Sequence, residues 1–587
     1  MCGSKPERGW ALNCATGPCP STSPVPEPTS SPPRPPAEED RLPMVGWFDP
    51  GQLVRTGVDV VISAIFARNS DRRVLDALSH PTADPADYSS QPELWLDYVA
   101  DTGDGWNSTY AVAHSLAQPE LDVVVDGVRQ PTRRGDVLVF GGDAVYPVAS
   151  REAYEHRLTA AYRTALPVAP SSRPKVFAVA GNHDWYDSLV AFTRIFCTGG
   201  KRSFAGWRTH QERSYFAVKL PHRWWLIGVD VQLESDIDDP QLEYFSKIAD
   251  SMTPDDRVIL CCAEPYWIYE QRYRQFDGDI TEHNLAFLEK RIFGNRVAVF
   301  IAGDLHHYRR HTNTTGRHKI TAGGGGAFLF PTHVDFDEVQ ELDDGYTYQT
   351  SFPAPETSRS LSRRLLAFAQ INPSFGHLTA LFYLLFAMAI KVDIGGLGLR
   401  DIGQVLHIVV AGILNSEIAL FWGVLLVFGF YFFTETHDPK FKRWGGLAHA
   451  TAHLIAAFLL GWFGLYASVT WMALPPNSIS QIIATGVLIG VGGYLVGPTI
   501  MGTYLYVSMN WFRRHAGEFS ALRCEDHKSW VRMHVGPTGD LRIYALGIDR
   551  VPRRWRDATP TPDAPSLLVP ADETATAPRL VDYVEVQ

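Results

Sequence analysis

Between residues 374 and 509 the chain runs through four long apolar blocks, and these constrain its fold more than any other feature. Residues 374–390 carry no formal charge in 17 positions, 405–433 carry only Glu417 in 29, and 446–474 and 479–509 carry none. About 20 helical residues cross the ~30 Å hydrocarbon layer, so each block is long enough, or nearly so, to span it. A buried core helix is the alternative for any one block. Four in succession, with Trp and Tyr near their ends, instead predict a membrane region of four helices over 374–511. The second block exceeds one span, which places its first ten residues at the interface. Glycines 486, 490, 492, 493 and 497 predict close helix packing. His449 and His453 share one face of the third block. They either bind a metal or haem, or relay a proton with Glu417 or His377, or sit at the polar interface just after residues 440–444. The interfacial reading is preferred.

The charges around the blocks predict the topology. Arg359, Arg363, Arg364, Lys440, Lys442, Arg443, Arg513 and Arg514 flank one side, against Lys391 and Arg400 on the other. Eight against two puts both termini, and everything before the first block, on the cytoplasmic side of a multi-pass membrane protein. The mean hydropathy of −0.10 conceals the membrane region because the rest of the chain is polar. The 53 basic and 64 acidic residues leave a net charge of −11, too mild and too negative for a nucleic-acid partner. Seven cysteines without a CxxC pair exclude a disulfide scaffold and a zinc ribbon.

The remaining chain divides by composition. Residues 1–43 are proline-rich, with nine prolines in 20–43, and are expected to lack structure. Residues 44–350 alternate short apolar strands with amphipathic stretches, an α/β pattern. Strands are predicted at 95–100, 137–140, 175–180, 224–229, 257–262, 297–302 and 318–322, with helices at 151–165 and 241–252 among them. A linker spans 351–373. A small β-rich module at 512–556, too short for its own core, is expected to dock on the α/β part. The acidic tail 557–587 is expected to be disordered.

Four strand ends carry the chemistry. They read Asp101-Thr102-Gly103-Asp104-Gly105, Gly141-Gly142-Asp143-Ala144-Val145-Tyr146, Gly181-Asn182-His183-Asp184 and Gly303-Asp304-Leu305-His306-His307-Tyr308. Glycine allows a sharp turn and a close approach, and carboxylate, amide, phenol and imidazole donors together suit iron, manganese or zinc. The series, in this order, resembles the calcineurin-like metallophosphoesterase superfamily, and most closely its purple acid phosphatase branch, over roughly residues 95–333. The resemblance implies a metallophosphoesterase-type β-sandwich flanked by helices, holding two divalent or mixed-valence metal ions.

It also implies roles. Asp101, Asp143, Tyr146 and His306 would hold the first metal, and Asp143 would bridge to a second held by Asn182. His183 would stabilise charge on the phosphoryl oxygens with Asp184 orienting it, while a hydroxide between the metals attacks phosphorus in line. Two positions depart from the pattern: Ala263 stands where the family has a histidine, and Asp304 replaces another. Glu264 and Asp304 are the candidate replacements, which would make the second site oxygen-rich. Tyr146 is otherwise a packed aromatic, and Gly323–Gly326 is either a phosphate cradle or a tight turn near the metals. His307 and Tyr308 are expected to line the cleft, and His311, His318 and His333 to be polar loop residues. The expected activity is hydrolysis of a phosphate ester at the cytoplasmic face, with a lipid or nucleotide as substrate. The alternative is a membrane transport or sensing protein whose degenerate phosphoesterase domain binds without turnover.

Overall fold

Seven apolar runs before the membrane region form strands within one residue of the expected ends. We label the principal strands β1 (Leu94–Val99), β2 (Val137–Gly141), β3 (Lys175–Val179), β4 (Phe216–Lys219), β5 (Trp224–Gly228), β6 (Arg257–Cys261), β7 (Val297–Ala302), β8 (Tyr308–Thr312), β9 (His318–Ala322) and β10 (Tyr346–Phe352). Three more lie after the membrane region: β11 (Lys528–Val535), β12 (Leu541–Ile548) and β13 (Arg579–Val586). The computed structural model describes residues 34–55, 58, 84–231, 237–273, 283–390, 396–434, 438–512, 517–572 and 574–586. Lys391, Arg513 and Arg514, three of the charges used for topology, lie outside these.

The strands build two large sheets in a mixed α/β arrangement. One runs Ala86–Asp87, β4, β5, β6, β7, β9, β8, β10, Glu341–Leu342, and the other β13, β12, β11, β1, β2, β3, Trp207–Thr209, Ser203–Phe204. Alternate residues of both enter one shared core. Leu94, Leu96 and Tyr98 of β1 and Val137 and Val139 of β2 pack with Leu226, Ile259, Val299 and Ile301 of the other sheet. The opposite faces are covered by helices: Trp95 and Val99 of β1 pack with helix α1 (Trp106–Ala117). Every residue of β1 is buried, as a central strand with both faces covered requires. The pairs β1–β2, β2–β3 and β6–β7 are parallel, so their carboxyl ends emerge together along one edge.

The C-terminal part differs from expectation. It is no separate module: β11 pairs antiparallel with β1 and extends the second sheet. The tail expected to be disordered contributes β13, paired with β12. Acids suggested a solvated segment, but Leu580 and Tyr583 pack on one core and Val581 and Val584 on the other, and Asp582 accepts from Arg310 and Tyr308 Oη. The join is fixed by Arg532 of β11, which makes a two-pronged ion pair with Asp97 of β1 at 2.7 and 3.1 Å, both side chains buried. At the other terminus, residues 34–43 were expected to lack structure. Glu38–Asp40 form a 3₁₀ turn, and Leu42 accepts the N–H of Trp106.

The apolar blocks form α2 (Pro373–Ile390), α3 (Ile402–Leu414), α4 (Glu417–Phe433), α5 (Pro439–Tyr466) and α6 (Ile479–Val507). Among the described residues three helices are long and apolar enough to cross a membrane, and α3 with α4 make a fourth only as a pair bent by 94°. The second block is therefore broken. Ser416 caps α4 by accepting from Ala419 N–H and donates to the Ala389 carbonyl of α2, which fixes the bend there. The glycine spacing on α6 works as expected at two positions: a Cβ on Gly493 would stand 2.9 Å from Ala380 Cα and one on Gly497 2.3 Å from Thr379 Oγ1. His449 and His453 are both buried within the bundle, with their Nε2 atoms 3.2 Å apart, and Tyr383 Oη of α2 lies 2.6 Å from His453 Nδ1. His453 thus makes a polar link between α5 and α2.

The Asp97–Arg532 pair generates a prediction. Asp97→Asn leaves the guanidinium buried without its counter-charge, which should cost about 3–5 kcal/mol. It should lower the thermal midpoint of the purified protein, followed by circular dichroism. Adding Arg532→Met should restore most of the loss.

Candidate metal centre

Each candidate residue follows the carboxyl end of a parallel strand, Asp101 after β1, Asp143 after β2, Asn182 after β3 and Asp304 and His306 after β7. Four of them have left-handed backbone: φ is 56° at Asp101, 47° at Asp143, 68° at Asp304 and 27° at His306. Such conformations cost a non-glycine residue about 1 kcal/mol or more. The neighbouring chain enforces them. Asp101 N–H donates to the Gly142 carbonyl, Thr102 N–H to that of Asp143, and Asp304 N–H to Asp101 Oδ2 at 2.8 Å.

The result is a convergence on one oxygen. Tyr146 Oη lies 3.0 Å from Asp101 Oδ1, 3.2 Å from Asp143 Oδ2 and 2.9 Å from His306 Nε2. The His306 Nδ1 atom faces the Phe328 carbonyl at 2.7 Å. A carbonyl only accepts, so Nδ1 carries the proton and Nε2 presents a lone pair. One phenol proton therefore meets three acceptors. All four side chains are almost entirely buried. Burial, and then the neighbouring acids, push Asp101 well above the usual carboxylate range and Asp143 up to about 8. Among the described residues no Lys or Arg forms an ion pair with either. The cluster needs extra protons or a cation to balance it.

These four residues fit a cation by chemistry and spacing. Ligands about 2.0–2.2 Å from a common ion stand roughly 3.0–3.5 Å apart, as the contacts to Tyr146 Oη do. Among the described residues no group of three or more His, Cys, Asp and Glu side chains is placed to hold a metal by itself. The Tyr146 phenol contacts Asp101, Asp143 and His306, so the residue is more than a packed aromatic.

The second half of the expected site is less complete. Asn182 opens the short helix Asn182–Trp185 half-buried, with its amide 3.4 Å from Tyr186 Oη. Asp304 is half-buried, and its carboxylate accepts from Tyr269 Oη. The Glu264 carbonyl accepts from Cys262 Sγ and Tyr266 N–H. Ala263 packs against the Gly142 turn. Its Cβ would lie only 2.8 Å from a Cβ on Gly142.

His183 and Asp184 divide their work differently from the expectation. His183 N–H donates to Asp143 Oδ1 at 2.9 Å, and its ring is oriented by the Pro147 carbonyl, 2.5 Å from Nδ1. Asp184 does not orient it. Its carboxylate accepts from Gly181 N–H, Ala144 N–H and Tyr154 Oη, tying the Asp143 turn to the Asn182 turn. The Gly323–Gly326 run is a close-packed turn. A Cβ on Gly323 would stand 2.4 Å from Asp101 Oδ2, and one on Gly325 2.3 Å from the Ala100 carbonyl. His307 is buried, and His311 and His318 bond elsewhere, to Val339 and Thr312.

Two features escaped the sequence reading. Asp104, in the first turn, accepts Val45 N–H at 2.7 Å and Phe328 N–H at 3.0 Å. It thereby pins two distant segments over the cluster. They carry an aromatic wall: Trp47 lies 6.4 Å from Tyr146, 6.0 Å from His183 and 5.6 Å from Phe328, and Phe330 4.3 Å from His306. The carboxylate was visible in the motif. Its partners were not, because they lie 59 and 224 residues away.

No protein-family model matches the chain, and no curated protein matches it. Among solved structures, one described as "GAP50 the anchor in the inner membrane complex of Plasmodium" is 14% identical, over 40% of this chain and 73% of that one, with a TM-score of 0.30. A likeness so slight carries no argument about fold or function.

The Gly323 packing is testable. Gly323→Ala drives a methyl group into Asp101 and the His306 backbone and should destabilise by about 1–3 kcal/mol, read as a lowered thermal midpoint. Gly51→Ala, in a helix and with nothing within 4 Å of its Cβ, should leave the midpoint unlowered, because alanine is the better helix former.

Proposed function

We propose that the chain is a membrane-anchored, metal-dependent phosphoesterase whose α/β half stands at the cytoplasmic face. The observation that supports this most is the meeting of three acceptors and one proton at Tyr146 Oη. Asp101, Asp143, Tyr146 and His306 would hold a first cation, and Asp304 and Asn182 are nearest in chemistry to a second set. Cations bound there supply polarisation of a phosphoryl group and a nucleophilic water near neutral pH. The chain's own groups position and shield. Asp143 links the cluster to His183 through its N–H, and the Pro147 carbonyl keeps the His183 proton on Nδ1. Nε2 is then the ring atom that takes up a proton and passes it to a departing or phosphoryl oxygen. Trp47 and Phe328 exclude water on one side of the cluster.

Ala263 and the engagement of Asp304 by Tyr269 favour a second reading, ligand binding without turnover. Elemental analysis, together with hydrolysis of p-nitrophenyl phosphate and bis(p-nitrophenyl) phosphate under added iron or manganese, separates the two. The enzyme reading expects bound metal and turnover. Asp143→Asn and His183→Ala should each reduce turnover by ~100-fold or more with the thermal midpoint of the membrane helices unchanged. Full activity in Asp143→Asn overturns the mechanism, and metal without turnover establishes the second reading.

A further inference from the structure

The cluster around Tyr146 lies within a few residues of the ends of the membrane helices, by two separate routes. In the first, consecutive residues divide the contacts. Trp47 packs on Tyr146 and His183, whereas Phe48 packs 5.0 Å from Phe368, 6.3 Å from Phe375 of α2 and 5.8 Å from Phe433 of α4. Asp49 then accepts from Ser374 Oγ in the first turn of α2 and pairs with Arg523 at 2.9 Å. In the second route, Phe330 packs on His306 and, three residues on, His333 Nε2 lies 3.3 Å from Asn510 Oδ1, just beyond α6. Two chain steps span at most about 7.6 Å between Cα atoms, and three about 11 Å.

These helix ends carry the marks of a membrane surface. Trp444 is 68% and Trp511 74% exposed at the catalytic end of the bundle, and Arg363, Arg364, Lys440 and Arg443 are exposed there too. Such aromatic and basic residues sit at headgroup level. The headgroup layer is about 5–7 Å deep outside the hydrocarbon, so the cluster and its aromatic wall stand next to it. Resting on the phosphoesterase reading, we infer that the substrate is a phosphate ester carried on a membrane lipid, taken from the leaflet against which the α/β half stands. The lipid's chains would remain among the helix ends while its phosphate is presented to the cluster.

The test uses the full chain in mixed detergent–phosphatidylcholine micelles with manganese or iron supplied. Phosphatidic acid and phosphatidylglycerol serve as lipid-borne monoester and diester, and glycerol 3-phosphate and the two nitrophenyl esters as soluble probes. The expected result is a kcat/KM for at least one lipid about tenfold or more above that for glycerol 3-phosphate. Its rate should fall when that lipid is diluted within the micelle at constant bulk concentration. Hydrolysis of a nitrophenyl ester with neither lipid preferred, or a rate indifferent to dilution, overturns the lipid inference and leaves the phosphoesterase reading intact. No turnover of any probe under either metal overturns that reading, and this inference with it.

Discussion

Three lone-pair acceptors and a single phenol proton meet at Tyr146 Oη inside the protein. Unbalanced buried acceptors are among the most expensive things a fold can contain. The surrounding structure is arranged to hold them there: four residues with left-handed backbone, a glycine turn with no room for a side chain, and Asp184 tying two turns together. Extra protons on the carboxylates, or the cation of the proposed function, balance an acceptor-rich cluster of this kind. That links the local geometry to the proposed chemistry.

The two-sheet body exists to bring those turns to one edge. Parallel strands deliver their carboxyl ends side by side, and the shared core between the sheets sets the distance between Asp101 and Asp143 on one sheet and Asp304 and His306 on the other. Segments remote in sequence close the body. β11 and β13 come from beyond the membrane region, and residues 44–49 from before the first strand. The α/β half and the bundle are thus interleaved along the chain. An anchor added at one end would have left the α/β half able to fold without it.

Much of this was legible beforehand. The seven strands follow from apolar runs bounded by glycine and polar turns, and residues 101, 143, 146, 182, 183, 304 and 306 stood out because metal-type donors follow such runs. The reading failed where the deciding contact was distant or weak in composition. Acids in residues 579–586 masked the alternation that makes β13, and Asp184 was assigned to its sequence neighbour His183 although the nearer partners in space are Ala144 and Tyr154. The bend at Asn415-Ser416 was hidden because a hydrophobicity average does not register a capping serine.

The sequence by itself determined the apolar spans, the strand-forming runs and the donor-bearing turns, because these depend on residue type and on spacings of a few residues. Only the tertiary structure decided that Tyr146 sits at the centre of the donors and that Trp47 and Phe48 join the cluster to the helix ends. Those facts depend on which strand edges pair and which segments cross them, and contacts between residues tens to hundreds of positions apart leave no local signature in a chain.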